Sequence, residues 1–171
     1  MTPEHVRFLY AYDAWANKRI LDACAKLDAE QFTRNLGSSF PSVRDTLAHI
    51  MGAQWLWMER FHGRSARLPQ ADGFADLNAL RARWEEVERD VRSYVNSLSA
   101  ADLQRSFDYH DLKGIARKNT VWEALQQVAN HGTYHRGQVT TMLRQLGATP
   151  VGTDMLGYFR EQQAAASQAA S

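Results

Sequence analysis

His131 and His135 stand four residues apart in the run Asn130-His131-Gly132-Thr133-Tyr134-His135-Arg136-Gly137-Gln138, and two imidazoles at that spacing could hold a cation. On a helix, residues four apart share a face and are offset by about 6 Å along the axis, close enough to converge on one ion. The pair also falls in an apolar stripe. Val121, Leu125, Val128, Gly132, His135, Val139, Met142 and Leu146 recur at steps of four and three, so His135 occupies a position where Leu is expected and His131 lies beside it. A buried ring nitrogen without a partner costs about 1 to 3 kcal/mol, and one cation can partner both rings. Solvated rings bonded to nearby polar groups are the alternative for an isolated pair, and a catalytic zinc asks for a third protein ligand.

Four other histidines could supply that ligand. His5 lies in the first turn of a helical pattern and His62 abuts Gly63 at the end of another, so both are expected to face solvent. His110 belongs to a segment of different periodicity, could line a pocket, and is the candidate catalytic proton shuttle if the chemistry uses hydroxide. His49 lies inside a helical pattern with Thr46, Gly52, Ala53 and Leu56 on its face, two of them small enough to leave room beside the ring. Alone it reads as a half-buried histidine with a hydrogen-bond partner; with the pair it becomes the best third donor.

The elements that must position these rings are helical. Thr2 and Pro3 open a first helix carrying Leu9, Tyr12, Ala16, Ile20, Ala23 and Leu27, expected to end near Leu27. Ser42 with Asp45 resembles a capping box and starts a second, through Val43, Leu47, Ile50, Trp57 and Phe61, which Gly63 ends. Leu77, Leu80, Trp84, Val87, Val91, Val95 and Leu98 mark a third. Between Gln104 and Asn119, Phe107, Tyr109 and Ile115 flank the turn-like Asp111-Leu112-Lys113-Gly114, which reads as a short hairpin or a long irregular loop. Thr120 and Glu123 then cap the histidine helix, and Gly147 and Pro150 close it. A short helix is expected over Asp154–Glu161, with residues 1–162 forming one domain and 163–171 a disordered tail. Four amphipathic helices bury their stripes best against one another, so the expected fold is all-α, a four-helix bundle.

Composition narrows the function. The chain has 171 residues, enough for one core without disulfides, and its single cysteine, Cys24, sits on the apolar side of the first helix as a small hydrophobe. A formal net charge of +1 with interspersed signs lacks the footprint of a nucleic-acid binder. The N-terminus shows no signal-peptide pattern and no apolar run approaches bilayer length, so no membrane partner is expected, and the expected location is cytoplasmic.

His49 in Leu47-Ala48-His49-Ile50, followed by the His131–Gln138 run, resembles the three-histidine pattern of the DinB-like (DinB/YfiT) metal-binding superfamily. Tyr10-Ala11-Tyr12-Asp13-Ala14-Trp15-Ala16-Asn17 and Leu143-Arg144-Gln145-Leu146-Gly147, with Asp154 and Tyr158 after it, carry the likeness across nearly the whole chain. The resemblance implies a bundle of up-down-down-up topology, with a divalent ion, zinc or nickel, held by His49, His131 and His135 and water in the open positions. It also implies a homodimer, for which Trp15, Trp55, Trp57 and Trp122 could supply exposed aromatic surface.

Two function classes follow. Similar proteins include thiol-dependent transferases and isomerases in which the metal is thought to activate glutathione, mycothiol or bacillithiol, which implies a small-molecule substrate and a low-molecular-weight thiol as cosubstrate. Because Gly132, not Glu, follows His131, a zincin-type protease is improbable, though a metal-dependent hydrolase stays open. The other class is a non-catalytic metal-binding stress-response or assembly module. Candidate pocket-wall residues are Trp15, Asn17, Trp57, Tyr109, His110 and Arg136, each of which could equally be core or surface.

Overall fold

Each long helix begins where a side chain can accept from an otherwise unpaired backbone N–H. In the computed structural model, which describes residues 1–64 and 67–169, the Thr2 hydroxyl accepts from the His5 N–H at 3.2 Å to open α1 (Pro3–Cys24). A short α2 (Ala29–Thr33) follows, then α3 (Val43–Phe61), where Ser42 Oγ accepts from the Asp45 N–H at 3.2 Å. Asp76 caps α4 (Leu77–Ser97), and α5 (Ala100–Gln104) leads into the hairpin. After β1 (Ser106–His110) and β2 (Ala116–Thr120), α6 (Val121–Gln145) opens with the Glu123 carboxylate accepting from the Thr120 N–H at 2.8 Å. The last element is α7 (Met155–Ala169).

The four long helices pack in a ring: α1 contacts α4 and α6, and α3 contacts the same two. Contacts between named side chains give their directions. Tyr10 and Asp13 on α1 meet Leu125 and Arg136 on α6, so those helices are parallel. Asn17 meets Glu88 and Asp22 meets Arg81, so α4 runs against α1. Gln54 meets Trp84, and Phe61 stacks on Tyr94, so α3 runs with α4. The resulting order is up, down, down, up. Ile20, Leu47, Ile50, Met51, Met58, Leu80, Trp84, Leu125, Met142 and Leu143 fill the interior, each no more than 2% exposed.

The hairpin is present. Its strands are antiparallel, pairing Ser106 with Thr120 through His110 with Ala116. Asp111 Oδ1 accepts from the N–H groups of Lys113 and Ile115, and Gly114 takes φ 78°, so Asp and Gly each supply what the turn needs. Cys24 is buried, and burial pushes its thiol up to about 12, which makes it the inert hydrophobe expected.

Other expectations need correction. α1 ends at Cys24, three residues short of Leu27, because the chain must turn to enter α2. Both short helices carry capping boxes, Asp28 with Gln31 and Ser99 with Asp102, a local signal that apolar periodicity does not register in five residues. α7 continues through residues 162–169, beyond the Glu161 end expected, since Ala and Gln are strong helix formers; residues 170 and 171 lie outside the described residues. Trp15, Trp55, Trp57 and Trp122, offered as exposed dimer surface, are half-buried: Trp15 packs on Tyr12 and Tyr158, Trp57 on Phe61, Phe107 and Tyr109, and Trp55 and Trp122 against the main core. The large apolar side chains that are exposed are Leu112, Ile115, Tyr134, Leu156 and Phe159. No helix among the described residues is long and apolar enough to cross a membrane.

Candidate metal centre

The seam between α3 and α6 brings together three imidazoles from positions 49, 131 and 135. One ring nitrogen from each lies within 4.8 Å of the others, and among the described residues this is the one group of three His, Cys, Asp or Glu side chains that could hold an ion. Ring centroids are 4.3 Å apart for His131 and His135, 4.6 Å for His49 and His135, and 4.7 Å for His49 and His131. The Nε2 atoms of His49 and His131 face each other at 2.9 Å. Two lone pairs repel at that distance, so without a cation one ring must donate to the other.

The surroundings keep two of these rings neutral. His49 and His131 are half-buried, and burial, reinforced by the neighbouring imidazoles, lowers both from the usual histidine value to about 4. His135 is 7% exposed, and its Nδ1 lies 2.7 Å from Gln138 Oε1. Because a carboxamide oxygen can only accept, Nδ1 carries the proton, and Nε2 is the nitrogen that would face an ion. Neutral imidazoles with free lone pairs are the donor set that suits zinc, nickel or copper, so these residues fit a divalent transition ion.

Aromatic rings wall the cluster. Phe40, in the loop before α3, stacks on His49 with centroids 3.9 Å apart and planes 21° apart, and meets His135 edge-on at 5.4 Å. Tyr134 lies edge-on to His135 at 5.0 Å and is 65% exposed, so it borders the outer side. Sequence reasoning missed both. The one hint was an aromatic between Ser39 and Pro41, just ahead of the Ser42 cap, where an extended loop can fold back on the first turn of its helix.

Behind the histidines, α6 is pinned to α1 by a buried ion pair. Arg136 Nη1 donates to Asp13 Oδ1 at 2.5 Å and to Asn17 Oδ1 at 2.7 Å, and Nη2 donates to Thr133 Oγ1 at 2.9 Å. Asp13 Oδ2 accepts from Gln54 Nε2 at 2.7 Å and from Asn17 Nδ2 at 3.1 Å, while Gln54 Oε1 accepts from the Trp84 indole at 2.8 Å. The chain of bonds thus joins α1, α3, α4 and α6. Gly132 makes the close approach possible: a Cβ there would lie 2.9 Å from Arg136 Nη1 and 3.1 Å from Asp13 Oδ1.

The other sequence candidates fall elsewhere. Asn17 and Arg136 belong to this buried network, and Trp15 packs between α1 and α7. Trp57, Tyr109 and His110 gather at the hairpin, where Arg60 lies over the Trp57 and Tyr109 rings and donates to the His110 carbonyl at 3.1 Å. Arg60 is eleven residues beyond His49, about 16 Å further along the helix, and the exposed His110 ring is not part of the three-histidine group. The room beside Gly52 is also taken, since a Cβ there would lie 3.1 Å from Pro69 of the loop after α3.

Four long helices running up, down, down, up around an interior three-histidine cluster define a class, and comparison with known proteins says which family it is. A sequence profile of the DinB family matches residues 2–168. Protein DinB of Bacillus subtilis (strain 168) is 32% identical over 154 residues, covering 85% of this chain and 88% of that protein. The crystal structure of a DinB-like protein from Bacillus cereus ATCC 10987 superposes with a TM-score of 0.59, covering 85% of this chain and 94% of that one, at 18% identity, a likeness of fold alone. The chain belongs to the DinB family.

Proposed function

We propose that the protein binds one divalent transition-metal ion, zinc or nickel, through His49, His131 and His135, and that it is a metal-dependent enzyme of the thiol-transferase or isomerase type. The observation that carries this is the convergence of one ring nitrogen from each of three imidazoles within 4.8 Å of one another, on a seam that holds no acid beside them. When bound, a three-histidine ion supplies a Lewis-acidic position that favours an anionic sulfur or oxygen group. Gln138 holds the His135 tautomer, Phe40 covers His49 from water, and Gly132 leaves no carboxylate beside His131 to act as a base. That last feature favours a small thiol, which is acidic enough to bind as its anion without a protein base, over hydrolysis. Three protein donors in place of a closed set of four favour chemistry over a purely structural ion.

Metal content after dialysis tests the ligand set: one ion per chain in the wild type, and loss in His49→Ala, His131→Ala and His135→Ala. Full occupancy in all three variants overturns it. Titrating the cobalt-substituted protein with glutathione, bacillithiol, mycothiol and cysteine tests the chemistry. A sulfur-to-cobalt charge-transfer band with one thiol, together with conjugation of that thiol to an electrophile that is lost in His135→Ala, supports transfer. The absence of a band with every thiol removes transfer and leaves hydrolysis or a non-catalytic ion. A homodimer and a cytoplasmic location belong to the same proposal, and light scattering that gives the monomer mass at high concentration rejects the dimer.

A further inference from the structure

Across the ring from the α3–α6 seam, α1 and α4 leave a cavity of 430 Å³ between them, and a neighbouring hollow of 320 Å³ shares its Ala14, Glu88 and Arg92. The space has a local cause. α1 presents Ala11 and Ala14 to this groove, and two methyl groups cannot fill the gap that larger side chains fill elsewhere along the helix. Tyr10, Val91 and Val95 make its apolar wall.

Most polar groups on the floor are already used. Both Asp13 oxygens accept hydrogen bonds, and Gln54 spends its oxygen on Trp84 and its nitrogen on Asp13. Glu88 is different. Half-buried, it accepts one long bond, 3.3 Å from Asn17, and has no ion-pair partner among the described residues. Burial is also the main reason its carboxyl is raised to about 7, the bond from Asn17 and the attraction of Arg92 offsetting it only in part. Since Arg136 balances Asp13, Glu88 is the acid at this level of the groove that no cation contacts, Arg92 attracting it only from a distance.

The outer end carries the opposite sign. Arg92 lies one turn beyond Glu88 on α4, about 6 Å along the axis, and Arg7 of α1 and Asn96 of α4 line the far end, about 12 Å from Glu88. We propose that this groove is a second binding site, separate from the histidine cluster, for a small zwitterion that seats a primary ammonium on Glu88 and turns an anionic end, one to two helical turns away, toward Arg92 and Arg7. An ammonium matches Glu88 in charge and brings three donors to a carboxylate that now receives one bond. The cavity volume lies within the range of small-molecule sites. The site stands independently of the metal reading.

The test uses three probes of one length, 6-aminohexanoate, hexylamine and hexanoate, followed by the NMR shifts of the Val91 and Val95 methyl groups. The expected result is saturable binding of 6-aminohexanoate, weaker binding of hexylamine and none of hexanoate. Glu88→Gln, which keeps the shape and the bond from Asn17, should weaken 6-aminohexanoate at least tenfold, and Ala14→Leu, which fills the groove, should abolish binding. His131→Ala should leave it unchanged, which separates this site from the metal centre. Absence of saturation with both amines, equal binding to Glu88→Gln, or hexanoate binding as well as 6-aminohexanoate overturns the proposal.

Discussion

Two buried polar clusters meet on α6 within five residues, and they solve the problem of burial in opposite ways. Around Asp13 and Arg136, a negative and a positive side chain share hydrogen bonds with Asn17, Gln54 and Thr133, and only the Arg136 Nε is left without a protein partner among the described atoms of that network. The cluster of His49, His131 and His135 contains no acid and no opposing charge, and its ring nitrogens converge on one point, with a single 2.9 Å bond between His49 and His131 among them. The contrast teaches how to read buried polar groups. A cluster in which opposite charges close their own hydrogen bonds is part of the scaffold, whereas one in which three like groups converge with no opposing charge has the form of a ligand set.

If that distinction is right, breaking the scaffold cluster has the largest effect. Arg136→Met strands the Asp13 carboxylate inside the protein, and loss of one partner of a buried pair costs about 3 to 5 kcal/mol, read as a lower urea midpoint. A loss below about 1 kcal/mol would mean that Asp13 finds water or another donor, and the two clusters would no longer differ in kind. Gln138→Leu should act on the other cluster alone. Removing the bond that fixes the His135 tautomer is expected to lower metal affinity about 10- to 100-fold, and the buried Nδ1–H left without its partner costs the ion-free protein about 1 to 3 kcal/mol. Unchanged affinity by competition with a chelator would show that packing alone orients that ring.

Gly132→Ala sharpens the comparison because this residue serves both clusters. Alanine gains about 1 kcal/mol of helix propensity, but the new methyl meets Arg136 and Asp13 atoms that the ion pair holds in place, and overpacking costs about 1 to 3 kcal/mol. A net loss of about 1 kcal/mol is expected in thermal unfolding, and a gain would show that the pair can slide.

Acid acts on the ion-free histidine cluster through its two half-buried rings. Both His49 and His131 titrate near 4 in the folded chain, well below the ordinary histidine value of about 6.5. As pH falls from 6.5 toward 4, the unfolded chain takes up protons that the folded rings refuse, so the ion-free protein loses stability over that window; above it both states hold neutral rings and this dependence vanishes. Urea midpoints at pH 7.5 and 5 should therefore diverge more in the wild type than in His131→Ala. Equal divergence would assign the acid sensitivity to other groups.

The sequence by itself determined what is local along the chain. Helix phase, caps and turns depend on neighbours within about four residues, so the stripe through Val121 and Leu146, the Ser42 and Thr120 starts, the Asp111–Gly114 turn and the His131–His135 pair could all be read in order. His49 came from the same logic plus its likeness to a family pattern, but the nearer of its two partners, His131, lies 82 residues away and no local rule places it. Only the packing of four helices decided that Phe40 covers His49, that Pro69 fills the space beside Gly52, and that His110 stands with Arg60 and outside the three-histidine group. The same holds for the network of Asp13, Asn17, Gln54, Trp84 and Arg136, whose members come from four helices. Their side chains read as solvent-facing or core one helix at a time, because the hydrogen bonds that license burial exist only once the helices have met.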